Sequence, residues 1–196
     1  MTKNEQKIAV LFPGIGYTCD RSLLYYTGKL LQKHGYELIR LAYGGFPANV
    51  KGDAAGIRQC VVIALDQTEE QLKDVDFGAY DDVVFVGKSI GTVVALRFAQ
   101  SHGVDAQFVL LTPLERTFES VSSTKTVALQ GNRAVAFHGT ADPWARTDRI
   151  ITACKSKSIP LYLTDDANHS LETGDVGKDI ENLQRVLDQI WTFITD

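Results

Sequence analysis

Ser89, Asp142 and His169 are the residues whose types and placement could do covalent chemistry together. Ser89 sits in Gly87-Lys88-Ser89-Ile90-Gly91, between an apolar run, Asp82–Val86, and a helical pattern over Ile90–His102. This is G-x-S-x-G in a strand–turn–helix setting, which raises a serine hydroxyl on a sharp, strained turn. Flanking side chains would clash there, hence the glycines. The helix start offers unpaired N–H groups and a partial positive charge to a developing oxyanion. Gly-Lys-Ser also ends a phosphate-binding loop, but that motif needs a glycine five positions before Gly87, where Asp82 stands.

A serine hydroxyl needs a base, and the chain has four histidines. His34 and His102 end helices that face the wrong edge of a sheet. His138 closes a strand and is placed to pack or hydrogen-bond near an acid loop. His169, in Asp165-Asp166-Ala167-Asn168-His169-Ser170-Leu171, follows the last strand directly and is the expected base. The base needs a carboxylate that fixes its tautomer. Asp142, in His138-Gly139-Thr140-Ala141-Asp142-Pro143-Trp144, is the expected acid, with Asp165 and Asp166 as competitors. The oxyanion donors are expected at the Ile90 N–H and in Phe12-Pro13-Gly14-Ile15-Gly16-Tyr17. Ile15 is the first choice there, with Gly16 and Tyr17 as alternatives. That loop lacks the third glycine of a dinucleotide fingerprint. Asp142, His138 and His169 lack metal-site spacing, so neither a metal nor an organic cofactor is expected.

These residues must be held by elements, and the chain alternates short β-branched runs with helical patterns. Strands are expected at Lys7–Phe12, Tyr36–Ala42, Asp82–Val86, Ala106–Leu111, Arg133–His138 and Ile159–Thr164. Helices are expected at Asp20–His34, Asp53–Lys73, Ile90–His102, Thr147–Lys157 and Lys178–Ile194. Pro113–Asn132 has the least clear periodicity. Alternation of this kind implies an α/β fold: a three-layer α/β/α sandwich on a mostly parallel sheet of about six strands. Ligands then bind at the carboxyl ends of the strands, where the three residues lie.

The 196 residues suit one domain spanning 1–196. With 44% hydrophobic and 22% charged residues and a net charge of −4, the composition is that of an ordinary globular protein. No basic stripe suggests a nucleic-acid partner. No apolar run approaches the roughly 20 residues needed to span a membrane, and no secretory leader is evident, so a cytoplasmic location is expected. Cys19, Cys60 and Cys154 are odd in number and far apart, which fits buried thiols rather than a disulfide framework.

The strand–Gly87-Lys88-Ser89-Ile90-Gly91–helix unit, His138-Gly139-Thr140-Ala141-Asp142-Pro143 and Asn168-His169-Ser170-Leu171 together resemble the α/β-hydrolase superfamily. More narrowly, they resemble its short, lidless bacterial members of the dienelactone-hydrolase and carboxylesterase kind. The order nucleophile, acid, base is the family's order. The resemblance spans essentially the whole chain. It implies that the first strand lies between the second and third, that the two N-terminal edge strands of larger members are missing, and that there is no cap domain. It implies a serine hydrolase that takes a small carboxylic ester or thioester through an acyl-enzyme, with Ser89, Asp142 and His169 as its triad. A lactonase or peptidase on the same triad is the alternative, and a non-catalytic binding protein of the same fold is the other. Tyr17, Trp144 and Leu171 are the expected substrate contacts, with Tyr43, Phe46 and Leu114 as further pocket candidates. Arg116 and Arg146 could attract an acidic substrate. The oligomeric state is open.

Overall fold

The computed structural model describes residues 5–50, 52–119 and 133–195. Among them are six strands: β1 (Lys7–Phe12), β2 (Glu37–Arg40), β3 (Asp82–Lys88), β4 (Gln107–Leu111), β5 (Ala134–Gly139) and β6 (Leu161–Thr164). The helices are α1 (Ser22–Lys33), α2 (Ala54–Leu72), α3 (Ile90–His102), α4 (Glu115–Glu119), α5 (Thr147–Ser156) and α6 (Val176–Thr195). The strands form one sheet in the order β2-β1-β3-β4-β5-β6, with every neighbouring pair parallel. β1 therefore lies between β2 and β3, as the resemblance implied.

A strand's side chains alternate between the faces of its sheet, and each face here has its own core. Ile8, Val10 and Phe12 of β1 join Val83 and Phe85 of β3 under α2, α3, α4 and α5. Ala9 and Leu11 join Val84 and Val86 under α1 and α6. Because both faces are covered, the central strands read as unbroken apolar runs. Phe85 anchors the first core, with Phe12, Phe77, Phe98 and Phe108 ring centroids 5.0, 5.5, 6.2 and 6.0 Å away. α6 meets the second core through Leu183, Val186, Ile190 and Phe193, a helical spacing.

The elements fall where periodicity places them, with shifted ends. α2 starts after Asp53, whose carboxylate accepts the Ala55 N–H at 2.9 Å. β3 runs two residues beyond the expected Val86, because Gly87 and Lys88 still pair with Leu110 and Leu111 of β4. Within the unclear Pro113–Asn132 segment, Glu115–Glu119 is helical, and residues 120–132 lie outside the described residues. Among the described residues no cap domain covers the sheet's carboxyl ends, and no helix is long and apolar enough to cross a membrane. Cys19, Cys60 and Cys154 are buried free thiols. Burial pushes Cys19 up to about 11 and Cys154 to about 12.

Candidate active site

Ser89 is the pivot between β3 and α3. Its φ of 56° and ψ of −120° lie outside the regions an L-residue prefers. Its surroundings fix that conformation. The Ser89 N–H donates to Leu111 O at 3.0 Å, and Ser89 O accepts from the Thr92 N–H at 3.1 Å and the Thr92 hydroxyl at 2.6 Å. The flanking glycines leave no room for a side chain. A Cβ on Gly87 would come within 2.6 Å of Thr92 Cα, and one on Gly91 would collide with the Phe12 carbonyl. Gly91 therefore lets the β1 loop pass directly beside the start of α3.

The loops after β5 and β6 interlock. Thr140 N–H donates to Thr164 O at 2.9 Å, Ala141 N–H to Ala167 O at 3.0 Å, and Asp166 N–H to Thr140 Oγ1 at 2.8 Å. A Cβ on Gly139 would collide with Ala167 O, so this strand end also requires glycine. The result brings Asp142 Oδ2 to 2.7 Å from His169 Nδ1. The Asp142 side chain is fully buried, and its other oxygen accepts the Trp144 N–H at 2.8 Å. Asp165 and Asp166 are exposed and make no bond to His169 among the described residues. His138 is buried behind Asp142, with Nε2 3.2 Å from Thr147 Oγ1 and Nδ1 3.7 Å from Asp142 Oδ2. His34 stacks on Trp191 and His102 pairs with Glu69, both apart from this cluster.

Charge states follow from the surroundings. Burial alone would raise the Asp142 carboxyl. The His169 hydrogen bond and charge, the Trp144 N–H and His138 outweigh it and hold the group below its ordinary value. Burial pushes the His169 imidazole down, the charge of Lys88 adds to that, and Asp142 opposes it. An ionised Asp142 facing a neutral His169 places the imidazole proton on Nδ1. Nε2 then carries a lone pair, and it has no hydrogen-bond partner among the described residues.

Ser89 and His169 open into one pocket of about 500 Å³, lined also by Ile15, Gly16, Tyr17, Ile90 and Trp144. In the β1 loop, Gly14 N–H donates to Tyr17 O at 3.1 Å and Tyr17 N–H to Gly14 O at 3.3 Å. The Tyr17 N–H is thereby used, which removes Tyr17 as an oxyanion donor. The Ile15 and Gly16 N–H groups have no acceptor among the described residues, and neither has the Ile90 N–H at the start of α3. Gly16 adopts φ 67°, which favours glycine.

The expected substrate contact at Leu171 is corrected. Leu171 has φ 59° and is 3% exposed, packed in the core with Leu23, Phe137 and Val186 rather than lining the pocket. Ser170 and Glu172, on either side of it, line the pocket instead. Leu114 does line the pocket. Tyr43 and Phe46 pack instead against the first core, Tyr43 with its hydroxyl 2.8 Å from Thr68. Arg146 pairs with Asp148 on the surface, and neither it nor Arg116 lines the pocket. Lys88, Arg21 and Glu172 are lining residues that sequence reasoning missed. Lys88 continues the Val84, Val86 alternation only because β3 extends past Val86 by pairing with β4.

A family model described as an alpha/beta hydrolase domain matches residues 5–195. Solved structures share the fold at low identity. An alpha-beta serine hydrolase homologue from Coxiella burnetii is 17% identical, with a TM-score of 0.64, over 96% of this chain and 88% of that one. An esterase from Pyrococcus furiosus is 15% identical, with a TM-score of 0.63, over 97% and 84%. Est1E from Butyrivibrio proteoclasticus is 11% identical, with a TM-score of 0.63, over 100% and 91%. No curated protein is similar enough to count as a match. With the model spanning nearly every residue and the sheet order in agreement, the chain belongs to the alpha/beta hydrolase domain family.

Proposed function

We propose that this protein is a serine hydrolase that cleaves a small carboxylic ester or thioester through an acyl-enzyme. The observation that carries the reading is the buried 2.7 Å Asp142–His169 pair, whose unpartnered Nε2 belongs to the same pocket as Ser89. Ser89 Oγ attacks the substrate carbonyl carbon while His169 Nε2 takes the hydroxyl proton. Asp142 stabilises the imidazolium so formed. The carbonyl oxygen becomes an oxyanion, met by the N–H of Ile90 and those of Ile15 and Gly16. One such donor is worth about 10²–10³ in kcat. His169 then gives its proton to the departing alcohol or thiol. A water molecule, deprotonated by His169, attacks the acyl carbon, and the collapse returns Ser89 and releases the acid. The Tyr17, Leu114 and Trp144 side chains suit a compact apolar acyl or leaving group, with Arg21 and Glu172 as the charged lining.

The test combines a fluorophosphonate probe with Ser89→Ala. The probe is expected to add to Ser89, located by mass spectrometry. The variant is expected to lose p-nitrophenyl acetate hydrolysis by at least about 10⁴-fold while melting near the wild-type temperature. A folded wild-type protein whose Ser89 stays unmodified would sink the reading.

A further inference from the structure

Lys88 has no step in this mechanism, yet it is built into the site. The period of two along β3 puts Val84, Val86 and then Lys88 on the α1–α6 face. There the lysine is fully buried. Its Nζ lies 4.7 Å from the centroid of the Tyr17 ring and has no hydrogen-bond partner among the described residues. Burying an ammonium without a hydrogen bond is costly, and the aromatic face returns only part of that cost. The surrounding charged and titratable groups come from three loops. Tyr17 comes from the β1 turn, Asp142 from the loop after β5, and His169 and Glu172 from the loop after β6. His138 stands on the far side of Asp142.

The Tyr17 ring is not a detached surface. Tyr17 closes the Gly14–Tyr17 turn through two backbone hydrogen bonds, and its hydroxyl accepts the Leu23 N–H of α1 at 3.1 Å. The Ile15 and Gly16 N–H groups sit between those closing residues. A cation seated on the ring therefore presses the donor-bearing turn onto the strand that ends in Ser89. Lys88 and His169 line the same pocket, so the cation acts on the imidazole that must hold its lone pair ready.

We propose that Lys88 is a positioning residue of this site: its buried ammonium pins the Tyr17 ring, and with it the Gly14–Tyr17 turn, to β3, and sets a positive charge in the pocket that His169 lines. For its catalytic consequence the proposal rests on the serine-hydrolase reading; the physical arrangement does not. The charge opposes protonation of His169, so the base keeps its lone pair to lower pH than its burial and Asp142 alone would give. Burial pushes the Lys88 amine down to about 7, with Asp142 and Glu172 opposing. The lysine is thus still cationic in the acidic range where His169 takes up its proton.

Lys88→Met removes the charge and keeps the length and apolar bulk. Two measurements read the proposal, and neither uses the reaction. The first is the NMR titration of the four histidine imidazoles. In the variant, the His169 midpoint is expected to rise by the order of one pH unit, the scale of an ordinary environmental shift. A merely structural role would leave that midpoint in place. The second is amide hydrogen exchange at Gly14 and Tyr17, expected to quicken about tenfold as the turn opens more readily. A folded Lys88→Met protein in which either quantity keeps its wild-type value overturns the proposal. If that variant does not fold, Lys88→Gln removes the same charge and is read the same way. Failure of Ser89 to take up a fluorophosphonate is a separate result that overturns only the hydrolase reading.

Discussion

A left-handed φ at Ser89 costs about 1–3 kcal/mol, and its neighbours hold it there. Its N–H is taken by Leu111, its carbonyl is bound twice by Thr92, and Gly87 and Gly91 clear the space that side chains would fill. The strain keeps the serine at the mouth of a helix N-terminus rather than in line with the sheet. The partner carboxylate shows a comparable economy. Asp142 has two oxygens: one orients His169 and the other is tied to the Trp144 N–H. An amide at this position keeps the shape but presents the wrong donor to Nδ1 or forces the other tautomer. Asp142→Asn is therefore expected to lower kcat by about 10²–10⁴-fold with little change in melting temperature. Asp165→Asn and Asp166→Asn, at exposed positions, are expected to leave kcat near wild type. Steady-state hydrolysis of p-nitrophenyl acetate by the three variants checks this. His169 is held below its ordinary value by burial and Lys88, and its protonated form cannot act as base. The acid limb of kcat/KM is accordingly expected below the usual histidine range, with full activity at neutral pH.

At the scale of elements, the central strands hold the fold together and the edge strand β6 leads into the loop that carries His169. Among the described residues, Phe85 of β3 touches four other phenylalanine rings and is fully buried, whereas Tyr162 of β6 is 39% exposed and stacks on Phe137 alone. Denaturant unfolding should give a loss of about 3–5 kcal/mol for Phe85→Ala and only about 1 kcal/mol for Tyr162→Ala. The strand–helix alternation was legible because apolar β-branched runs and helical spacing are properties of the chain itself. The placement of Ser89, Asp142 and His169 was legible for the same reason: each follows a recognisable strand, and parallel strands deliver their carboxyl ends to one edge. Lys88 was not. The apolar run stops at Val86, so a lysine two residues on reads as loop. Only the pairing of Gly87 and Lys88 with β4 carries it into the core. Leu171 misled in the opposite sense. An apolar residue beside the base reads as a substrate contact, but its backbone conformation depends on the turn around Asn168, which the residue types do not announce.

At the scale of the whole molecule, two apolar cores clamp one parallel sheet, and Ser89, Asp142 and His169 follow the carboxyl ends of its strands. A small domain of this kind is stable by a narrow margin of about 5–15 kcal/mol, so an uncompensated buried charge weighs on all of it. Lys88 makes that weight depend on pH. In the unfolded chain its amine keeps a proton up to about its ordinary 10.5, and in the folded protein only up to about 7. Between those values unfolding takes up a proton, so stability rises with pH across the window. Below it, both states are protonated and the burden is complete. Lys88→Met is therefore expected to melt above the wild type at pH 6 and to lose that advantage steadily as the pH climbs from 7 toward 10.5, followed by calorimetry. A constant gap across that range would contradict it. The lysine next to Ser89 lets the denatured chain hold one proton that the folded protein gives up: mild alkali, which ordinarily threatens a fold, here tightens one part of it.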